Sequence, residues 1–107
     1  MDIYQQTQHL LLQLEQALQH CGLWSEVAPA ADAFASKAPF CIDSMPFEHW
    51  LQWVFLPKMR QLVATRMPLP RQSQILPMAE VAFDGRDVAE ITALLARFDQ
   101  LMSAPTL

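Results

Sequence analysis

Glycine, cysteine and charge are all scarce in this chain, and each shortage closes off a class of function. The two glycines, Gly22 and Gly85, lie far apart, so no glycine-rich turn is available to cradle a phosphate or a dinucleotide. Cys21 and Cys41 form no CxxC pair, and His9, His20 and His49 form no HxxxH pair, so the ligand spacing of a zinc site is missing. His20 and Cys21 are neighbours, and neighbours on a helix point about 100° apart and cannot share one ion. No apolar run approaches the eighteen or more residues of a membrane span. The start, MDIYQQTQHLLLQLEQ, has no basic stretch leading into a clean apolar one, so no signal peptide is expected. A cytoplasmic protein with reduced thiols follows as the expectation.

Catalytic constellations are equally thin. Cys41, Asp43 and His49 stand close in sequence, but a thiol nucleophile needs a stabilised thiolate and an oxyanion site, and no glycine elbow supplies one. Glu48 with Asp43 reads as helix-start charge rather than an acid–base pair. The chain is therefore expected not to be an enzyme, and to need neither metal nor cofactor.

What is present is apolar and helical. Of 107 residues, 52% are hydrophobic and 17% charged, enough for one core and one domain over residues 1–107. Residues 2–21 place Ile3, Leu10, Leu11, Leu14, Ala17, Leu18 and Cys21 on one helical face. Gly22 is placed as the left-handed residue that ends this helix, with Leu23 and Trp24 folding back. Residues 25–38 are Ala- and Pro-rich, a linker with one helical turn near Ala31 to Phe34, anchored by Phe34 and Phe40.

The stretch from Pro39 to Pro70 holds two of the three Trp and five of the eight Pro. Phe47, Trp50, Leu51, Val54, Phe55, Met59, Leu62 and Val63 keep helical spacing, which predicts a second helix. Asp43 or Ser44 is expected to cap it, with Pro46 in its first turn. Pro57 lacks the N–H that would bond Trp53, so a kink is expected there. The helix should end near Arg66 or Met67, before Pro68. A third helix is predicted over Leu76 to Phe83, burying Met78, Val81 and Ala82 and stopped by Asp84–Gly85. Asp87 and Glu90 form a capping box for a fourth, which carries Val88, Ile91, Leu94, Leu95, Phe98, Leu101 and Met102. The fold class is all-α, an antiparallel up-and-down four-helix bundle with a Pro-kinked second helix.

Net charge is −4, the wrong sign for a generic nucleic-acid binder. Between His49 and Ala79, however, there is no Asp or Glu, while Lys58, Arg60, Arg66 and Arg71 all lie there. Trp53 sits at the edge of the apolar stripe, and Leu56 points towards the side carrying His49, Gln52 and Arg60. Large apolar groups beside cations have the composition of an interface hot spot. His49, Gln52, Trp53, Leu56, Lys58, Arg60, Arg66 and Arg71 are therefore the candidate partner-binding residues. An alternative places a small molecule or acyl chain in a pocket lined by Trp50, Trp53, Phe55 and Met59. A homodimer is compatible with the same composition.

The run PFCIDSMPFEHWLQWVFLPKMRQLVATRMPLP resembles the signature of the YqcC-like family of small bacterial proteins. The most specific parts are PFCIDSM, the WLQWVFLPKM run around Pro57, and MPLP; the rest of the chain is more loosely similar. The resemblance implies an all-α, bundle-like fold and supplies no catalytic residues. Genes of that family commonly neighbour one for a tRNA pseudouridine synthase. This implies a protein partner, with that enzyme as the candidate, and weak or no nucleic-acid binding by the chain alone.

Overall fold

In the computed structural model, residues 2–103 are described, and every regular element among them is helical. Helix α1 spans Ile3–His20. Asp2 caps it: its carboxylate accepts from the Gln5 backbone N–H at 2.8 Å, and the Gln5 side chain accepts from the Asp2 N–H at 3.1 Å. This reciprocal box satisfies two donors that a helix start otherwise leaves unpaired. Of the expected apolar face, Leu10, Leu11, Leu14, Ala17 and Leu18 are buried and Ile3 and Cys21 partly so, and Thr7 joins it because its hydroxyl bonds the Ile3 carbonyl at 2.7 Å. Gly22 ends the helix at φ +72°. The Gly22 N–H donates to Gln19 and the Leu23 N–H to Leu18, the paired C-terminal bonds for which a left-handed residue is needed. Leu23 and Trp24 pack against the core, as expected.

The linker makes a 3-10 turn at Ala31–Ala35 and a second at Pro39–Cys41. Phe40 anchors it, set edge-on to Trp50 at 4.9 Å. Phe34 does not: it is 41% exposed. Phe40 and Cys41 both take positive φ, 59° and 50°, which a side chain with a Cβ adopts at a cost.

The aromatic stretch forms one uninterrupted helical rod in three parts. Helix α2 covers Phe47–Trp50, a π-helical turn covers Leu51–Phe55, and helix α3 covers Leu56–Ala64. The expected cap is not used. Pro46 occupies the cap position and no side chain bonds the first turn. The Ser44 hydroxyl donates instead to the Ala33 and Cys41 carbonyls, and Asp43 accepts from the Ser36 hydroxyl. These bonds tie the two linker turns together. At Pro57 the rod stays helical by widening the turn before it: the Leu56 N–H reaches back to Leu51, five residues, not four. A π turn adds about one residue to the helical repeat. That extra residue rotates everything beyond it, with consequences for the site.

Helix α3 ends at Ala64, with Arg66 in the left-handed position at φ 52° and the Met67 N–H bonded to Leu62. Helix α4 spans Ile75–Ala82, one residue earlier than expected at both ends. Its buried residues are Ile75 and Ala79, with Phe83 just beyond, whereas Val81 is 73% exposed and Met78 and Ala82 are only partly covered. Gly85 turns the chain at φ +75°. Helix α5 spans Ala89–Ser103. The Val88 carbonyl takes its first bonds, from Ile91 and Thr92, so the start lies at Val88 rather than at Asp87. Helix α1 packs on α5 and α3, and α4 packs on α5. Rings of the rod reach across to the other helices: Phe47 meets Phe83 at 5.5 Å and Phe55 meets Phe98 at 4.9 Å.

Candidate functional site

The rod spends its largest side chains on the core. Leu56 is fully buried, contrary to the expectation that it faces outward. The π turn is the cause, since a residue five places on from the buried Leu51 returns to the same face when the turn is wide. Gln52, another expected contact residue, is only 6% exposed. Its Oε1 accepts from the Ser25 N–H at 2.8 Å, and its Nε2 donates to the Ser25 carbonyl at 2.6 Å. Gln52 thus clamps the chain where it leaves the first helix. Trp53 is half-buried, and its indole N–H is buried with no hydrogen-bond partner.

The basic segment is partly neutralised by the other end of the chain. Arg60 pairs with Glu15 at 3.0 Å. Arg66 pairs with Asp2 at 3.4 Å, stands 5.0 Å over the Tyr4 ring, and has its carbonyl and that of Met67 bonded by the Tyr4 hydroxyl. The Asp2 carboxyl is held below the ordinary value chiefly by the Gln5 N–H, with desolvation opposing the shift and Arg66 adding to it. Lys58 and Arg71 are exposed and have no ion pair among the described residues. Of the four expected cations, only these two remain uncompensated.

The expected aromatic pocket is not a cavity. Phe55 and Met59 are core residues, and Trp50 stacks between Phe47 at 5.8 Å and Phe55 at 5.6 Å. The open grooves lie elsewhere. One of about 740 Å³ runs between α1 and α3, floored by Leu11, Leu12 and Val63 and rimmed by Gln8, His9 and Arg60. Another, of about 380 Å³, lies in the linker between Pro29, Ala33, Met45 and Pro46, with Asp32 and His49 on its rim. His49 is therefore the expected contact residue that does line a groove, together with Arg60.

No cluster of three or more His, Cys, Asp or Glu among the described residues could hold a metal ion. Burial pushes the Cys21 thiol up, with Glu90 and Asp87 adding to the effect, so its thiolate is disfavoured. His20 lies 3.7 Å from Glu90, both exposed. No helix among the described residues is long and apolar enough to cross a membrane.

Among the described residues the protein is all-helical, with a packed aromatic core, open surface grooves and no cluster of metal-binding groups. A family model described as tRNA pseudouridine synthase C matches residues 6–101. Over 90 residues the chain is 42% identical to a Haemophilus influenzae protein named "Uncharacterized protein", covering 84% of this chain and 83% of that one. It is 35% identical over 92 residues to "Uncharacterized protein YqcC" of Escherichia coli, covering 84% of each. The solution NMR structure of protein YqcC from E. coli matches with a TM-score of 0.86 at 32% identity, over 100% of this chain and 94% of that one. The chain belongs to the YqcC-like family. A Pectobacterium carotovorum protein named "tRNA pseudouridine synthase C" is 44% identical over 66 residues, which are 62% of this chain and 18% of that protein.

Proposed function

We propose that this chain is a non-catalytic protein-binding module that acts as an accessory partner of a tRNA pseudouridine synthase in the cytoplasm. One observation carries the reading. Sixty-six residues similar to this chain make up 18% of a longer polypeptide named tRNA pseudouridine synthase C. Two sequences joined in one polypeptide in one species commonly work together as separate chains in another. The description of the family model points the same way. In our reading the scaffold is one domain, an up-and-down four-helix bundle whose second helix is the π-turned rod. Its role is to present surface to the enzyme, and the chemistry stays with the enzyme.

The test is co-purification of the tagged chain with the pseudouridine synthase of the same organism, followed by titration calorimetry with and without tRNA. Association at micromolar concentration or tighter is expected. Failure to associate in both conditions removes the reading.

A further inference from the structure

We infer that the linker face around residues 29–49 is a docking surface for a basic protein segment, one that carries a large apolar side chain flanked by Lys or Arg. Two of the six large hydrophobic side chains that stand exposed among the described residues belong to this one segment, Phe34 at 41% and Ile42 at 44%, and a third, Val27 at 77%, lies two residues before it. Single exposed apolar residues are ordinary, but a concentration of them within sixteen positions is the composition of a contact surface. The turns that carry Phe34 and Ile42 are tied to each other by the Ser36–Asp43 and Ser44–Ala33 bonds. Beside them opens the groove of about 380 Å³ floored by Pro29, Ala33 and Met45, wide enough for one large side chain.

Charge decides what fits. Residues 25–45 carry Glu26, Asp32 and Asp43 against Lys37 alone, so this segment holds −2 of the chain's −4. The three carboxylates are exposed and have no ion pair among the described residues. Asp32 lines the groove itself, as does His49. Elsewhere carboxylates near exposed cations do find them, as Glu15, Asp2 and Glu48 show. An acidic rim around apolar contacts favours a cationic occupant, because opposite charges steer encounter and reject acidic competitors. This surface deepens the accessory-partner reading, since an enzyme that handles tRNA presents basic surface, but it stands on the linker's own composition.

The test does not require that enzyme. A random twelve-residue peptide library is selected on the full chain, and the winning peptides are mapped by backbone amide NMR shifts. The expected result is enrichment of peptides with Lys or Arg flanking a large apolar residue, with shifts centred on residues 29–34 and 42–49. The Glu26→Lys, Asp32→Lys double variant, whose substituted side chains hold no hydrogen bond or ion pair with the rest of the described chain, should weaken these peptides at least tenfold and fold normally by circular dichroism. Acidic or purely apolar winners, shifts centred on other elements, or no selection above background would overturn the inference. Linker shifts that grow with protein concentration alone would assign the face to a second copy and overturn it too. Failure of the synthase to co-purify, with basic peptides still selected, would remove the accessory role and leave this surface standing.

Discussion

Loss of the Asp99 side chain should be felt far from its own position. Asp99 lies on α5, yet its carboxylate closes the start of α4. One oxygen accepts from the Ser73 hydroxyl at 2.6 Å and the Ile75 N–H at 3.1 Å, and the other accepts from the Leu76 N–H at 2.8 Å. Gln74, at the cap position, makes no side-chain bond to the helix, so Asp99 acts as the cap from a distance. Eight residues are too few for a helix to persist alone in water; α4 depends on this cap and on burial of Ile75, Ala79 and Phe83. Losing a helix cap costs about 1 kcal/mol, and the negative charge at the positive end of the helix adds about 0.5 kcal/mol. Two backbone donors left without a partner at a half-buried site raise the total, so Asp99→Ala should cost about 2–3 kcal/mol. Asp99→Asn keeps an acceptor oxygen and should cost about 1 kcal/mol. Urea unfolding followed by circular dichroism measures both, with an unchanged slope as the control. Hydrogen exchange should then show the α4 amides opening before those of α1. A loss under about 0.5 kcal/mol for Asp99→Ala, or equal protection of α4 in wild type and variant, would refute the account.

Gln52→Ala unpairs both backbone groups of Ser25 and should destabilise the chain by about 2 kcal/mol in thermal or urea unfolding; Gln52→Glu, which cannot donate to the Ser25 carbonyl, should be no better. Arg66→Gly removes the left-handed strain at φ 52°, a gain of about 1 kcal/mol, against the loss of an exposed ion pair and a ring contact. A small net gain in the urea midpoint is expected, and a marked loss would show that the Tyr4–Arg66 contact outweighs the strain. The Asp2 carboxyl is lowered in the folded chain, so its contribution is present above the ordinary carboxylate value of about 4 and fades as pH falls through the folded value; Asp2→Asn should flatten stability against pH in that acid range and leave it unchanged in shape near neutrality. Arg60 and Arg66 are paired, leaving Lys58 and Arg71 as the exposed cations of the basic segment. No tRNA retention by the isolated chain is therefore expected in filter binding at about 150 mM salt, and tight, salt-resistant binding would refute that charge reading.

The helices themselves were legible because two signals coincided. In the first helix a 3.6-residue apolar period ran into a glycine, and the structure uses Gly22 in the left-handed role that such a glycine permits. The period of the fourth helix was equally clear, and only its start moved, to Val88. Legibility ended where a distant residue did the work of a local one. Asp43 and Ser44 sit where a cap belongs, but their oxygens serve the linker turns instead. The start of α4 carries no capping side chain at all, because its cap comes from Asp99, more than twenty residues away. Asp2 with Gln5 was a readable box, with the acidic residue and the amide three apart, and it is the local signal that was overlooked.

Two of the candidate contact residues, Leu56 and Gln52, turned inward for one physical reason, the geometry around Pro57. A helical wheel at 3.6 residues per turn puts Leu56 beside His49, Gln52 and Arg60, which made that side resemble an interface. The rod answers the missing Pro57 N–H by widening the preceding turn, so Leu56 rotates into the core and Gln52 closes on Ser25. Large apolar residues that a regular wheel displays to a partner are thus consumed by the fold. The fold also leaves part of the linker uncovered, a segment that looked like mere connection because it lacks periodicity. Its alanines and prolines give no helical stripe to read, yet Phe34 and Ile42 stand in the open there with carboxylates around them. Periodicity reports which residues a helix buries; it is silent about an irregular segment, whose exposed side chains have no register to betray them. In this chain Leu56 and Gln52, which looked free on a regular wheel, hold the molecule together, while Phe34 and Ile42 in the irregular segment stand in the open.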